Sequence, residues 1–308
     1  MTVSTLTELL KAGADEDAAL GAPGRPALTF SGLRDLTRRT IERLNALGIG
    51  RNDRVAIVLP NGPEMASAFV AIGAGATTAP LNPAYRTEEF EFYLGDLNAK
   101  ALILDDAGNA AAEEAAAKLK LPILRLKVAD GAAAGDFTID GDKVGEAKLK
   151  GPAEADDIAL VLHTSGTTSR PKIVPLSQRN VTASAGNIAR TLSLRSADSC
   201  LNIMPLFHIH GLIAAVLSSL SAGASITCTP GFNALKFFAW LDEAKPSWYT
   251  AVPTMHQAIL GRAARNEESI KRARLRFIRS SSSSLPPQVM AEAEATFGCP
   301  VIEAYGMT

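Results

Sequence analysis

Ile158-Ala-Leu-Val-Leu-His-Thr-Ser-Gly-Thr-Thr-Ser-Arg-Pro-Lys172 is the stretch on which the fold turns. Its first six residues, a short and mostly apolar run, predict a buried strand. The strand enters a loop carrying five hydroxyl side chains, one glycine and a closing lysine. Successive backbone N–H groups and hydroxyls in such a loop can wrap phosphate oxygens, and Gly166 permits close backbone approach. Lys172 adds a point charge where β- and γ-phosphates would lie. No GxxxxGK[ST] occurs in the chain, so this is not a Walker A loop. Composition alone leaves two readings open, a phosphate cradle or a solvated turn.

Outward from this loop, short apolar runs alternate with amphipathic stretches. Leu33, Leu36, Ile41, Leu44 and Leu47 recur at helical spacing, and strand 53–59 follows, stopped by Pro60-Asn-Gly62. Helix 64–76, strand 77–81, helix 88–97 and strand 101–104 continue the alternation. After the loop, strands are predicted at 200–204, 225–228, 248–252, 277–280 and 301–305. Helices intervene at 182–192, 211–222, 235–245, 254–265 and 288–297. Residues 131–154, rich in Ala, Gly, Asp and Lys, read as a surface excursion with a short hairpin. The rhythm predicts an α/β fold with mainly parallel sheets covered by helices on both faces. At 308 residues the chain exceeds what one core usually serves. Two packed α/β subdomains are therefore expected, 1–190 with the phosphate loop and 191–308.

The 31 basic and 32 acidic residues leave a formal net charge of -1, and 47% of the chain is hydrophobic. That balance gives no long-range field for nucleic acid or an anionic membrane, so a small ligand is expected. Cys200, Cys228 and Cys299 stand far apart without a CxxC pair, which predicts reduced core thiols and a cytoplasmic setting. The N-terminus lacks the basic and apolar regions of a signal peptide, and no apolar run is long enough to span a bilayer. His208 and His210 form an HxH pair, but two histidines without a third ligand make a poor metal site.

The order of residues in the loop goes further than its composition. Thr-Ser-Gly-Thr-Thr-x-x-Pro-Lys, at 164–172, resembles the phosphate loop of the adenylate-forming (acyl-CoA synthetase) superfamily. Met204-Pro-Leu-Phe-His-Ile-His-Gly-Leu212, Phe277-Ile-Arg-Ser-Ser-Ser-Ser-Ser-Leu285 and Val301-Ile-Glu-Ala-Tyr-Gly-Met-Thr308 are similar to its next three motifs, in order and spacing. Within the superfamily, His163, Ser169-Arg170, Pro205-Leu-Phe-His-Ile-His210, Trp248-Tyr-Thr-Ala-Val-Pro-Thr254 with His256-Gln257, and Leu275-Arg-Phe-Ile-Arg-Ser280 resemble the oxalate-CoA ligases.

The resemblance implies a two-step reaction in which a carboxylate, oxalate by preference, attacks the α-phosphate of ATP accompanied by Mg2+. Pyrophosphate leaves, and the thiol of CoA then displaces AMP. By position, Thr164, Ser165, Gly166, Thr167, Thr168 and Lys172 are expected to hold the β- and γ-phosphates. Ser282, Ser283 and Ser284, with Glu303, Ala304, Tyr305 and Gly306, are expected to flank the adenine, Tyr305 as a stacking face. Thr308 is expected at the α-phosphate. His208, with Ser281 and Ser282, is expected to donate hydrogen bonds to the substrate carboxylate, which makes Lys172, His208 and Thr308 the catalytic candidates. His210 and His256 read as structural, Arg170 as a solvated loop charge, and Arg279 equally as an ion-pair partner or a ligand contact.

Two positions depart from the family pattern. Ile173 follows the loop lysine where the family carries Gly. A stiff β-branched residue would disturb a positive-φ position but is harmless in a plain strand. The family also continues past Thr308 with a magnesium-binding Glu and a small C-terminal lid domain, so no metal ligand is expected within the chain. The expectation is a chain that binds nucleotide weakly and does not complete acyl-CoA formation, or a non-catalytic nucleotide-binding fragment. Within the enzyme class the alternative is a ligase for another short or medium-chain acid.

Overall fold

The computed structural model describes residues 3–164 and 171–306. Among them are fourteen strands: β1 (Ala18–Ala22), β2 (Arg25–Thr29), β3 (Arg54–Ile57), β4 (Thr77–Pro80), β5 (Ala101–Asp105), β6 (Ile123–Lys127) and β7 (Thr138–Asp140), then β8 (Ile158–His163), β9 (Ile173–Ser177), β10 (Ser199–Asn202), β11 (Ser225–Cys228), β12 (Trp248–Ala251), β13 (Phe277–Ser281) and β14 (Val301–Ala304). They form two seven-stranded sheets, ordered β7-β6-β5-β3-β4-β8-β9 and β14-β13-β12-β10-β11-β1-β2. All neighbours pair in parallel except β1/β2, β6/β7 and β8/β9. The expected α/β class with mainly parallel sheets is therefore observed.

Sheet membership does not follow a single cut at residue 190. β1 pairs in parallel with β11, Leu20 opposite Ile226, so residues 18–29 extend the sheet otherwise built from 199–304. No strand was expected at 18–29, where Ala, Gly and Pro dilute the apolar alternation. β7 falls within the excursion expected at 131–154, and its partner is β6.

Helices lie between the sheets and on their outer faces. Phe30–Ala46 is capped by Thr29, whose hydroxyl accepts from the Gly32 N–H, and it buries Phe30, Leu33, Leu36, Ile41 and Leu44. Pro63–Gly73 buries every residue except Glu64, the pattern of a helix packed on all sides. It touches β4 on one side and β1 and β11 on the other, which places it between the sheets. Gln178, fully buried, donates to the Gly73 carbonyl at 2.5 Å and accepts from the Leu6 N–H at 3.0 Å. The largest apolar cluster joins these inner helices to facing sides of both sheets. Smaller clusters under Phe237–Ala244, Pro253–Leu260 and Pro287–Phe297, and under Thr87–Leu97 and Ala110–Leu119, cover the outer faces.

Two expected helices have different limits. The run at 211–222 is π-helical over His210–Leu217 and α-helical over Ser218–Ser221. The run at 254–265 stops at Leu260, followed by a short 3-10 turn at Ala263–Arg265. Phe69 is fully buried in the inner helix, within the largest apolar cluster. Phe69→Ala is expected to destabilise the chain by about 3–5 kcal/mol, read from the midpoint of urea unfolding.

Candidate functional site

Parallel strands bring their C-terminal ends to one edge, and α/β proteins bind ligands there. At that edge β10 leads into 203–209, β13 into the serine run, and β14 into Tyr305-Gly306. The other sheet contributes the β8–β9 hairpin and the turn after β3.

The hydroxyl loop joins two antiparallel strands. His163 stands opposite Ile173 in the β8/β9 register. Above that pair, the Thr164 N–H donates to the Lys172 carbonyl at 2.9 Å, and the Lys172 N–H donates to Thr164 Oγ1 at 3.2 Å. Thr164 and Lys172 therefore form the neck of the loop, with the Lys172 side chain exposed. Ile173 is ordinary strand without positive φ, so the departure from glycine leaves this backbone unstrained. The expected phosphate contacts Ser165, Gly166, Thr167 and Thr168, the α-phosphate contact Thr308, and Arg170 lie outside the described residues.

His163 braces the root of the neck. Its Nε2 meets Asp96 Oδ2 at 3.1 Å, and its ring packs edge-on to Tyr93 with centroids 4.7 Å apart. Tyr93 in turn stacks on Tyr85 at 4.8 Å. Burial lowers the His163 pKa, with Asp96 opposing in part.

Of the residues expected at the acid, Ser282 meets a buried polar cluster and His208 does not. His208 is exposed, its ring 4.5 Å from that of Phe207. The segment bearing it is pinned from the other sheet by Asn61, whose Oδ1 accepts from the Leu206 N–H at 2.8 Å. Asn61 Nδ2 also donates to the Thr229 carbonyl at 3.0 Å. A Cβ at Gly211 would meet the Pro205 carbonyl oxygen at 2.4 Å, so only glycine lets the turn close.

His210 is 5% exposed at the first turn of the π-helical segment. Its Nε2 lies 2.6 Å from Thr250 Oγ1 and 3.0 Å from Arg279 Nη1, which also donates to Thr250 Oγ1 at 3.3 Å. A guanidinium only donates, so Nε2 accepts and donor balance assigns the ring proton to Nδ1. Nδ1 then donates to Ser282 Oγ at 3.0 Å. Ser282 has φ +77, a left-handed conformation that costs a non-glycine residue about 1–2 kcal/mol. Burial, then the charge of Arg279, then His256, push His210 down to about 3. Burial lowers Arg279 to about 10, leaving it charged at neutral pH.

Ser281 is buried opposite Ala304, while Ser282, Ser283 and Ser284 are exposed. Glu303 Oε1 accepts from the Leu285 N–H at 2.7 Å and ties the end of the serine run to β14. Tyr305 is 92% exposed, and Gly306 is exposed beside it. The structure thus joins Ser282 to the His210 segment and Glu303 to the serine run. Among the described residues no hydrogen bond links Thr164 or Lys172 to these groups. Sequence reasoning missed Asn61 and Thr250, although both sat in stretches already singled out. The turn signal of Pro60-Asn-Gly62 concealed the amide, and the apolar company of Thr250 concealed its hydroxyl.

Burial holds His256 at about 4, so two imidazoles are neutral in the fold. Above the ordinary value of 6.5 both states of the chain are unprotonated and the stability is complete. Below it the unfolded state takes up protons first, so stability falls as pH drops toward the folded values. Each ring contributes about 1.4 kcal/mol per pH unit in that window. Urea unfolding at pH 5.0 is expected to give about 2–4 kcal/mol less stability than at pH 7.5. A flat profile would contradict neutral buried rings.

The comparisons with known proteins bear on the family and the fold. Residues 11–308 match the family described as AMP-binding enzyme. The oxalate–CoA ligase of Arabidopsis thaliana is 45% identical, over 100% of this chain and 60% of its own length. The sulfoacetate–CoA ligase of Cupriavidus necator is 32% identical, over 96% of this chain and 57% of its own. The crystal structure of ATP-bound MatB from Rhodopseudomonas palustris superposes with a TM-score of 0.83 at 25% identity, over 100% of this chain and 60% of that one. The chain spans about 60% of the length of these relatives. The four motifs, the two parallel sheets and the match over residues 11–308 together show that the chain belongs to the AMP-binding enzyme family, the adenylate-forming group its motifs resemble.

Proposed function

We propose that this chain supplies the ATP and acid sites of an acid–CoA ligase that adenylates oxalate before transfer to CoA. The observation that carries the reading is the hydroxyl loop closed at its neck by Thr164 and Lys172, supported by 45% identity to an oxalate–CoA ligase. A carboxylate is a poor acylating agent because its leaving group would be oxide. Transfer to AMP supplies a far better one. The protein's contribution is positioning and charge stabilisation as pyrophosphate departs.

In this reading Lys172 and residues 164–168 receive the β- and γ-phosphates, and Thr308 lies at the α-phosphate. The exposed face of Tyr305, Glu303, Ala304 and Gly306, and Ser282 to Ser284 bracket the adenine. His208 donates to the attacking acid, and Ser281 and Ser282 line its pocket. Mg2+ arrives with the triphosphate; the described residues contain no group of three His, Cys, Asp or Glu side chains suited to hold it. No helix among the described residues is long and apolar enough to cross a membrane. A second reading, another short acid bearing two anionic groups, draws on the sulfoacetate–CoA ligase relative.

Calorimetric titration with ATP tests the nucleotide half. Lys172→Ala is expected to weaken ATP binding about tenfold or more, the loss of one charge-assisted contact. Unchanged affinity would remove Lys172 from the phosphate site. For the acid half, oxalate, sulfoacetate and acetate are each added during the ATP titration. Oxalate is expected to tighten ATP binding most, and an equal response to acetate overturns the oxalate assignment.

A further inference from the structure

Arg279 is 7% exposed, in the middle of β13, beside Thr250 of β12 in the parallel register. Its side-chain hydrogen-bond partners, His210 and Thr250, are both neutral. Other buried charges in this chain are treated differently. Asp157 is paired with Arg51 at 2.6 Å and Asp198 with Arg276 at 2.8 Å. Among the described residues no carboxylate pairs with Arg279. A guanidinium is the strongest base in proteins and stays charged even here, at about 10. A buried cation without a counter-ion is costly, and none of the described residues supplies one, so the position suits an anionic ligand.

Arg279 lies close to the edge at which the strands of its sheet end. Arg279 is two residues short of the end of β13, and the turn that follows it carries Ser282 on the opposite nitrogen of the same His210 ring. His208, expected at the acid, lies two residues before that ring. His210 Nε2 and Thr250 engage Nη1 alone, which fixes the orientation of the planar fork. A guanidinium suits a carboxylate bidentately.

We propose that Arg279 is the specificity-determining residue of the acid pocket, receiving the carboxylate of a diacid that does not react, with His210 and Thr250 as its positioning residues. The inference rests on the acid-adenylating reading above. A guanidinium on the attacking carboxylate would withdraw electron density from the nucleophile, whereas on the spectator carboxylate it binds without that penalty. Neutral His210 is part of the device, since a protonated ring could not accept from Arg279 and would repel it.

The same cation could instead hold the nucleotide's α-phosphate, and the test separates the two. Oxalate, glycolate and ATP are titrated calorimetrically into the wild-type chain, Arg279→Met and Arg279→Lys. Wild type is expected to prefer oxalate to glycolate by at least tenfold, and Arg279→Met to lose both that preference and at least tenfold in oxalate affinity. ATP affinity should be unchanged, and Arg279→Lys should fall between. Removal of an uncompensated buried charge should leave the ligand-free thermal midpoint of Arg279→Met unchanged or raised, where a merely structural arginine would lower it. Unchanged oxalate affinity in Arg279→Met, no oxalate binding by wild type, or a selective loss of ATP affinity each overturns the proposal. Oxalate binding that depends on Arg279 in a wild-type chain that does not bind ATP keeps the anion site and overturns the adenylating reading instead.

Discussion

Parallel strands cannot be joined by tight turns, and this constraint organises the whole molecule. Each crossover needs a helix, and each helix must bury an apolar stripe against a sheet. Here the two sheets share their inner helices, so Pro63–Gly73 is apolar on nearly every side. The strands of each crossover run in one direction and release their C-terminal loops at one edge. Every described candidate in the second sheet, from His208 to Tyr305, sits in or beside such a loop.

Two departures from regular backbone lie at that edge. The first turn after β10 is closed by Gly211 and continued by a π-helical segment, a widened geometry frequent at functional sites. Ser282 takes a left-handed conformation while bonded to the buried His210 ring. Local strain of this kind persists where surrounding contacts over-determine it. The Arg279–Thr250–His210–Ser282 chain is one such set of contacts, and Asn61 supplies another from the opposite sheet.

Much of the fold was legible in the residues. The strand at 158–163 and the helix-strand alternation from 33 to 105 follow hydrophobic period and turn chemistry, and the structure reproduces them within a few residues. Ala18–Ala22 and Arg25–Thr29 escaped because their pairing is decided by distant β11 and by packing, with little β-branched signal of their own. Ala110–Leu119 escaped because a run of alanines favours helix without showing an apolar face. β9 was hidden by the departure at Ile173, which the pairing with His163 explains as strand sequence. For the candidate site, the motifs located the loops but not the cross-sheet groups behind them. Asn61 and Thr250 become visible only when two segments far apart in sequence are brought into contact.

The neck of the hydroxyl loop has a consequence for how this region can vary. β9 is an edge strand, paired only with β8, and Pro175 within it needs no ladder partner for the N–H it lacks. Side-chain direction along a strand alternates strictly, so a slip of one residue would exchange the inner and outer faces of β9. The bonds between Thr164 and Lys172 close the neck without help from the residues above it, so the β8/β9 register is set at the neck and below, and change above it is not transmitted to the strands.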